Sequence, residues 1–301
     1  MSQSNDRFTT QSLVHRLPDP TEGVRSVVAA AVHTSLLDGA VAATKVVVVS
    51  ALLSVSLSPA VALAFLVTFG VYGSNKLVDA EDAVNCPDRA AFVSRYRPVL
   101  ALATVGGYGL ALVLAALEGP MAVGLTLVPA AAAVLYSTEW VPYDGGTRVK
   151  DVFLLNTTLV AAAWAVYITF IPVAYAGQGI GASALTICAF FFLQTVVAGE
   201  VLNARDVVGD RQEGVSTLPT RLGVDRAQTV LYGLDGLTIV LLVGAGVAGT
   251  LGESAVLALL PAVAYSLLVT ALVGRDVDLS RLSAWRDLEY PIMLAGVLLV
   301  L

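Results

Sequence analysis

Two short polar stretches carry side chains that could bind cations. Their sequences are Asn75-Lys-Leu-Val-Asp79-Ala-Glu81-Asp82 and Asn203-Ala-Arg205-Asp206-Val-Val-Gly-Asp210. Each closes an apolar segment long enough to cross a bilayer, where carboxylates are costly and usually mark a functional site. If the first stretch is helical, Asn75, Asp79 and Asp82 lie at roughly 0°, 40° and −20° around the axis, in one stripe.

The second stretch predicts a similar stripe. On a helix, the four polar residues Glu200, Asn203, Asp206 and Asp210 would lie within about 120° of one another. Hard divalent cations prefer carboxylate and amide oxygens, so two stripes that face each other would suit such cations and a polyphosphate ligand. A single motif of this kind could simply cap a helix or lie in a solvated loop. Two motifs at equivalent places in the chain favour a binding site for cations and a polyphosphate ligand.

The composition indicates a polytopic membrane protein. Of the 301 residues, 57% are hydrophobic and 13% are charged, whereas a soluble domain carries roughly 25% charged residues. The apolar runs predict an all-α fold in which nine transmembrane helices surround a central cavity, since a crossing needs about 20 apolar residues. The predicted spans are approximately 34–57, 58–74, 98–117, 119–137, 153–175, 180–202, 228–250, 254–274 and 288–301.

The distribution of basic residues predicts the orientation in the cell membrane. With nine spans, the N-terminal segment and the connections after spans 2, 4, 6 and 8 share one side, and they hold every Lys and Arg except Lys45. The positive-inside rule assigns that side, with both acidic stretches, to the cytoplasm. Residues 1–33 are predicted to form a polar cytoplasmic arm and lack the order of a signal peptide. Because the basic residues are scattered and outnumbered by acidic ones, no nucleic-acid partner is expected.

An internal duplication is also predicted. The two polar stretches follow spans 2 and 6, which suggests two four-helix halves plus a ninth helix within a single domain at 34–301. Transporters also use internal repeats, so repetition alone does not choose a function. Inside the first span, Asp38 and Lys45 lie on one helical face and predict an internal ion pair, with substrate contact as the alternative.

These residues resemble the UbiA superfamily of intramembrane prenyltransferases, and the resemblance covers nearly the whole chain. The second motif, at 200–219, is the stronger match: Asp206-Val-Val-Gly-Asp210 looks like the family's Asp-x-x-x-Asp run, and Gly214 and Thr217-Leu-Pro219 follow it. The first motif, at 75–89, is similar in order. Tyr136-Ser137 and Lys150 resemble the family's Tyr-Ser and Lys between helices 4 and 5.

Within the two motifs, the chain departs from the family pattern at three places. Lys76 follows Asn75, where the family usually has an acidic residue. Only two residues, rather than three, separate Asp79 from Asp82. Asn203 stands where the second motif usually begins with Asp, and its amide oxygen can still coordinate a metal without adding charge.

The resemblance implies Mg²⁺-dependent transfer of a prenyl group from an allylic isoprenyl diphosphate to a lipophilic acceptor in the membrane, with release of diphosphate. The acceptor would be a quinone precursor, an isoprenoid lipid or a carotenoid. Two Mg²⁺ ions would bridge the diphosphate, and the metal ligands implied are Asn75, Asp79, Asp82, Asn203, Asp206 and Asp210, with the four aspartates as catalytic residues. Arg89, Lys150 and Arg205 would bind the diphosphate, and Tyr136 would line the cavity.

Two alternatives remain open from the sequence. A terpene cyclase or prenyl-diphosphate hydrolase would use the same metal-assisted ionisation but end in ring closure or capture of water. A non-catalytic isoprenoid carrier is disfavoured because the charged residues cluster on one side, whereas transport sites lie near the midplane. Dependence of diphosphate release on an acceptor would distinguish the transferase from the other two.

Overall fold

The computed structural model describes residues 31, 33–78, 86–138, 148–275, 277 and 279–301. Most of the predicted arm at 1–33, and Asp79 and Asp82, lie outside these residues. All regular structure in the described part is helical. The α-helices are α1 (Leu36–Leu52), α2 (Ala60–Val78), α3 (Pro87–Glu118), α4 (Pro120–Ser137), α5 (Leu155–Tyr175), α6 (Ala182–Glu213), α7 (Leu218–Leu222), α8 (Val224–Val247), α9 (Glu253–Leu272), α10 (Leu279–Arg286) and α11 (Glu289–Val300), and a 3₁₀ turn at Val149–Asp151 precedes α5.

Within the described ranges, seven helices are long and apolar enough to cross a membrane: α2, α3, α4, α5, α6, α8 and α9. Helices α1, with 17 residues, and α11, with 12, occupy the predicted first and last spans but are shorter. The described part of the chain therefore has an all-α fold with several helices that could span a membrane. The count of nine spans and the division into two halves stay predictions.

Residues at the helix ends explain several boundaries. Pro87 and Pro120 begin α3 and α4, where the missing N–H of proline costs nothing because that donor has no partner inside the helix. Helix α6 continues through the second acidic motif and ends at Gly214, whose φ of 76° lies in the left-handed region. Glycine adopts this conformation without strain, so it stops the helix at this point.

The main core lies where α1, α2, α5, α6, α9 and α11 meet. Its side chains include the fully buried Val46 of α1, Leu63 of α2 and Leu259 of α9. Helix α1 packs against α2, α5 and α11, so it joins the first helices of the chain to the last. The core extends to Val71 of α2 and Trp164 of α5, which also line the candidate site.

Helices α2 and α3 approach each other at two glycines. A Cβ atom on Gly70 would lie 2.8 Å from the Cβ of Tyr108, and one on Gly73 would overlap the methyl group of Thr104. Since neither glycine can carry a side chain here, the two backbones pack closely. The contact fixes the end of α2, with Asn75 and Lys76, against α3.

A buried polar network joins the later helices. Asp235 of α8 accepts hydrogen bonds from Ser266 at 2.7 Å and Thr270 at 2.9 Å, both in α9. The guanidinium of Arg286 donates to the carbonyl oxygen of Gln194 in α6 at 3.1 Å and forms an ion pair with Glu289. These partners satisfy charges that would otherwise be costly inside the bundle, so the network ties α10 and α11 to α6.

Candidate functional site

A cavity of about 260 Å³ lies between α2, α3, α4 and α5. Its polar lining comes from the end of α2 and the start of α3: Asn75, Lys76 and Arg89. The remaining lining residues are Val71, Tyr72, Pro129, Ala132, Ala133, Tyr136, Val160, Ala163 and Trp164. The cavity therefore combines a cationic rim with an aromatic and aliphatic interior, which suits a ligand with an anionic head and an apolar body.

The position of Arg89 is not explained by helix stability. It is the third residue of α3, which begins at Pro87. The helix dipole places partial positive charge at an N-terminus, so a cation there is unfavourable. A role in the cavity wall explains an arginine at this position better than a role in stabilising the helix does.

The second acidic motif approaches the helix face that lines the cavity. Thr157, Val160 and Trp164 lie within about 60° of one another on α5, and Val160 and Trp164 belong to the cavity wall. The amide nitrogen of Asn203 donates to the hydroxyl of Thr157 at 3.4 Å. The structure thus brings Asn75 and Asn203, from the two motifs, to one face of α5.

Glu200, a buried residue of α6, holds the second motif against α5. Its side chain is 1% exposed. One carboxylate oxygen accepts a hydrogen bond from the Thr157 hydroxyl at 2.5 Å, and the other accepts from the backbone N–H of Leu218 at 3.1 Å. A single carboxylate therefore joins α5, α6 and α7, and its position explains how the Thr-Leu-Pro segment is held beside the motif.

Two predicted site residues lie next to the segment that follows α6: Lys150, in the 3₁₀ turn before α5, and Asp210, near the end of α6. Lys150 is 8% exposed and Asp210 is 6% exposed. The backbone N–H of Val215 donates to the Asp210 carbonyl oxygen at 2.8 Å, and that of Ser216 donates to the Lys150 carbonyl oxygen at 3.3 Å. Two consecutive residues of one turn thus hold both, which places a buried cation and a buried carboxylate in the same region.

Arg205 and Asp206 form a two-point ion pair. The guanidinium donates to both carboxylate oxygens, each at 2.6 Å, and the side chains are 21% and 19% exposed. A metal ion at Asp206 would therefore share that carboxylate with Arg205 or displace the guanidinium. A ligand that binds either side chain would therefore also affect the other.

The predicted ion pair between Asp38 and Lys45 is wrong. Asp38 instead pairs with Lys76 of α2, with 2.9 Å between the ammonium nitrogen and a carboxylate oxygen. Lys45 lies over the ring of Tyr290 in α11, 4.0 Å from its centroid. Helical spacing identified a shared face on α1, but α2 and α11 pack on that face and supply nearer partners.

His33 lies near the rim, beside the ring of Phe92. Burial lowers the pKa of His33 below its ordinary 6.5, and the Arg89 and Lys76 cations lower this pKa further. The imidazole is therefore neutral at neutral pH. The positive charge at this rim comes from Lys76 and Arg89 and not from the histidine.

The donors of the second motif fit a hard cation by chemistry, because Asn203, Asp206 and Asp210 all offer oxygen atoms. Over the described ranges, no group of three His, Cys, Asp or Glu side chains could hold a metal ion by itself. Asp79 and Asp82 of the first motif lie outside those ranges. Coordination therefore depends on amide oxygens, ligand oxygens or the remainder of the first motif.

The fold and the cavity match a known family. A model of the UbiA prenyltransferase family matches residues 30–290. The chain belongs to the UbiA prenyltransferase family. The sequence-based resemblance is thereby confirmed, and this UbiA-family chain is an integral membrane protein. No curated protein sequence matches it at a significant level.

Solved structures of UbiA homologues share its fold. The apo homologue from Aeropyrum pernix K1 superposes with a TM-score of 0.66 at 17% identity, covering 88% of this chain and 98% of the homologue. A homologue from Archaeoglobus fulgidus bound to GPP and Mg²⁺ gives 0.60 at 16% identity, covering 88% and 99%. A UbiA homologue from A. fulgidus bound to DMAPP and Mg²⁺ gives 0.59 at 15% identity, covering 88% and 98%.

Sequence reasoning did not identify Thr157 or Trp164 as site residues of the UbiA-family chain. Neither belongs to an acidic motif, and both lie inside an apolar helix. Helical spacing could not find them, because Lys150 lies in a separate 3₁₀ turn before α5 and the partner Glu200 lies on another helix. Asn75, Arg89 and Tyr136, which the sequence did single out, lie around one cavity.

Proposed function

We propose that the protein is a Mg²⁺-dependent intramembrane prenyltransferase that moves a prenyl group from an allylic isoprenyl diphosphate to a lipophilic acceptor. The observation that carries the proposal is the cavity with Lys76 and Arg89 at its rim and an apolar interior beyond them. Family membership supports it, as does the A. fulgidus homologue bound to GPP and Mg²⁺. Quinone precursors, isoprenoid lipids and carotenoids are the acceptor classes that we propose.

The rim would bind the donor's diphosphate. That group carries about three negative charges, and carboxylates alone would repel it, so a metal must lie between them. Asn203, Asp206 and Asp210, together with Asn75, Asp79 and Asp82, are the residues that would hold two Mg²⁺ ions. Bound Mg²⁺ would neutralise charge on the departing diphosphate. Arg89, Lys150 and Arg205 would add fixed positive charge from the protein.

The apolar interior would govern the transfer itself. The bond between the allylic carbon and the diphosphate oxygen breaks, and diphosphate leaves with the electron pair. A nucleophilic atom of the acceptor then bonds to that carbon and loses its proton. The aromatic faces of Tyr136 and Trp164 can stabilise positive charge on the allylic group, and the surrounding aliphatic side chains exclude water, which would otherwise capture it.

The site would face the cytoplasm, with the N-terminal arm on the same side. Charge supports this orientation: Lys76 at the end of α2 and Arg89 at the start of α3 lie at the rim, and Lys150 lies in the 3₁₀ turn that precedes α5. Basic residues concentrate on the cytoplasmic side of membrane proteins. A water-soluble diphosphate could then leave directly into the cytosol, while the acceptor stays in the bilayer.

Diphosphate release in lipid nanodiscs tests the proposal. The full chain is given Mg²⁺ and geranyl or geranylgeranyl diphosphate, with and without a lipid extract from the source cells. We expect release that requires both Mg²⁺ and the extract. Asp206→Asn should lower the rate by about a hundredfold or more, a size typical of losing electrostatic stabilisation of the transition state. Asp225→Asn, at an exposed carboxylate in the first turn of α8, is the matched control and should leave the rate unchanged.

Other outcomes would replace the proposal. Release without any acceptor would indicate a cyclase or hydrolase, and mass spectrometry of the product would separate the two. Tight binding of the donor with no release under any acceptor would indicate a carrier. Equal rates for Asp206→Asn and wild type would remove the second motif from the reaction.

A further inference from the structure

Lys76 differs from the other two lysines in being part of the cavity wall. It belongs to the last turn of α2, next to Asn75. Its side chain is 15% exposed, and its ammonium nitrogen lies 2.9 Å from a carboxylate oxygen of Asp38, whose side chain is 38% exposed. The more buried partner is therefore the one that faces the cavity, and the carboxylate lies outside the cavity lining.

The described part of the cavity lining carries positive charge. Among the described lining residues, the charged side chains are Lys76 and Arg89, and none is a carboxylate. An ammonium group has three N–H donors, so the ion pair with Asp38 does not by itself prevent Lys76 from binding a phosphate oxygen. The pair also restricts the flexible lysine side chain before a ligand arrives, which lowers the entropic cost of binding.

We propose that Lys76 binds the diphosphate of the donor directly and that Asp38 is its positioning residue. The inference rests on the proposed function, and it assigns part of the charge neutralisation to the protein rather than to Mg²⁺. Asn75 and Lys76 then contribute different chemistry from adjacent positions: a neutral oxygen toward the metal and a cation toward the phosphate. Donor binding accordingly persists, more weakly, when Mg²⁺ is removed.

Two simpler roles for Lys76 make different predictions. A membrane anchor would extend into the lipid headgroups, whereas this side chain is largely buried and paired with Asp38. A structural link between α1 and α2 is favoured by the helix dipoles, because Asp38 lies in a first turn and Lys76 in a last turn. A link of that kind would affect stability and the binding of every ligand, charged or not.

The test measures binding by the full chain in nanodiscs, with geranyl S-thiolodiphosphate, an unreactive donor analogue, and with uncharged geraniol. Tryptophan fluorescence reports binding, because Trp164 lines the cavity. Lys76→Met should weaken binding of the thiolodiphosphate in EDTA by about tenfold or more, the loss expected for a hydrogen bond between charged groups. Lys76→Arg should restore most of it, and geraniol should bind equally to all variants.

Lys45→Met is the matched control, because Lys45 is a lysine of α1 that packs on Tyr290 and is not part of the cavity lining. Its binding of the thiolodiphosphate should stay within about threefold of wild type. If Lys76→Met binds the thiolodiphosphate as wild type does, or loses geraniol and thiolodiphosphate binding in parallel, the inference about Lys76 is wrong. The proposed function would not be affected. A wild-type chain that binds no prenyl diphosphate with or without Mg²⁺ would overturn the proposed function as well.

Discussion

At the scale of single residues, Glu200 is a buried carboxylate that joins three helices of the candidate site. It accepts from Thr157 and from the Leu218 amide. Glu200→Ala therefore leaves the Leu218 amide without its acceptor and limits the Thr157 hydroxyl to Asn156. Such losses cost about 1–3 kcal/mol. We therefore expect a lower melting temperature in detergent, with a smaller decrease for Glu200→Gln, which keeps one acceptor oxygen. Glu213→Ala, at the exposed end of the same helix, should change stability by no more than about 0.5 kcal/mol.

Glu200 also illustrates which features of the site could be predicted from the sequence and which could not. Helical spacing placed Glu200 on one stripe with Asn203, Asp206 and Asp210, and α6 does continue as a helix through all of them. Spacing describes neighbours on one helix only. The partners Thr157 and Leu218, and the pairing of Asp38 with Lys76, join separate helices, so no pattern within a single segment could have predicted them.

At the scale of elements, the close contact of α2 and α3 sets the position of the cationic rim. Gly73→Ala would drive a methyl group into Thr104, and overpacking of this kind costs about 1–3 kcal/mol. We expect reduced thermal stability and weaker donor binding, because the displaced turn carries Asn75 and Lys76. Gly109→Ala, on α3 with open space around its Cβ position, should leave both properties unchanged.

A double variant distinguishes this steric cause from a general effect on α2. Thr104→Ser removes the obstructing methyl group and keeps the hydroxyl that donates to the Leu100 carbonyl oxygen. Combined with Gly73→Ala, it should recover most of the lost stability, giving a favourable coupling in a double-mutant cycle. Additive losses would mean that helix separation is not the cause.

At the scale of the whole molecule, the orientation can be measured by cysteine labelling. Cys86 and Cys188 are replaced by serine, and single cysteines are introduced as Gln178→Cys, between α5 and α6, or Gln212→Cys, near the end of α6; both positions are exposed. A membrane-impermeant maleimide should label residue 178 in intact cells and residue 212 only after permeabilisation. The reverse pattern would place the cationic rim on the outer side.

The positions of the helices were the most predictable feature of the molecule, because apolar runs of bilayer length leave few other folds for the backbone. Their ends were less predictable. Helix α3 begins at Pro87 rather than near residue 98, since its first turns carry Asp88, Arg89 and Arg95 and are helical without being apolar. Hydropathy detects the apolar part of a helix that can lie in the bilayer. The polar residues of the candidate site lie on the polar turns beyond that part.

The two sides of the cavity differ in how freely they can vary over evolution. Behind its α2 side, Gly70 and Gly73 pack on α3, so that side cannot move outward or gain bulk without losing the rim. Opposite it, Ala132, Ala133 and Ala163 contribute the smallest side chains that a wall can have. Replacing these alanines with valine or leucine would reduce the volume available to the apolar chain of a ligand. The part of the cavity that binds its anionic group would not change. We therefore expect single substitutions on α4 and α5 to change substrate preference more readily than substitutions on α2.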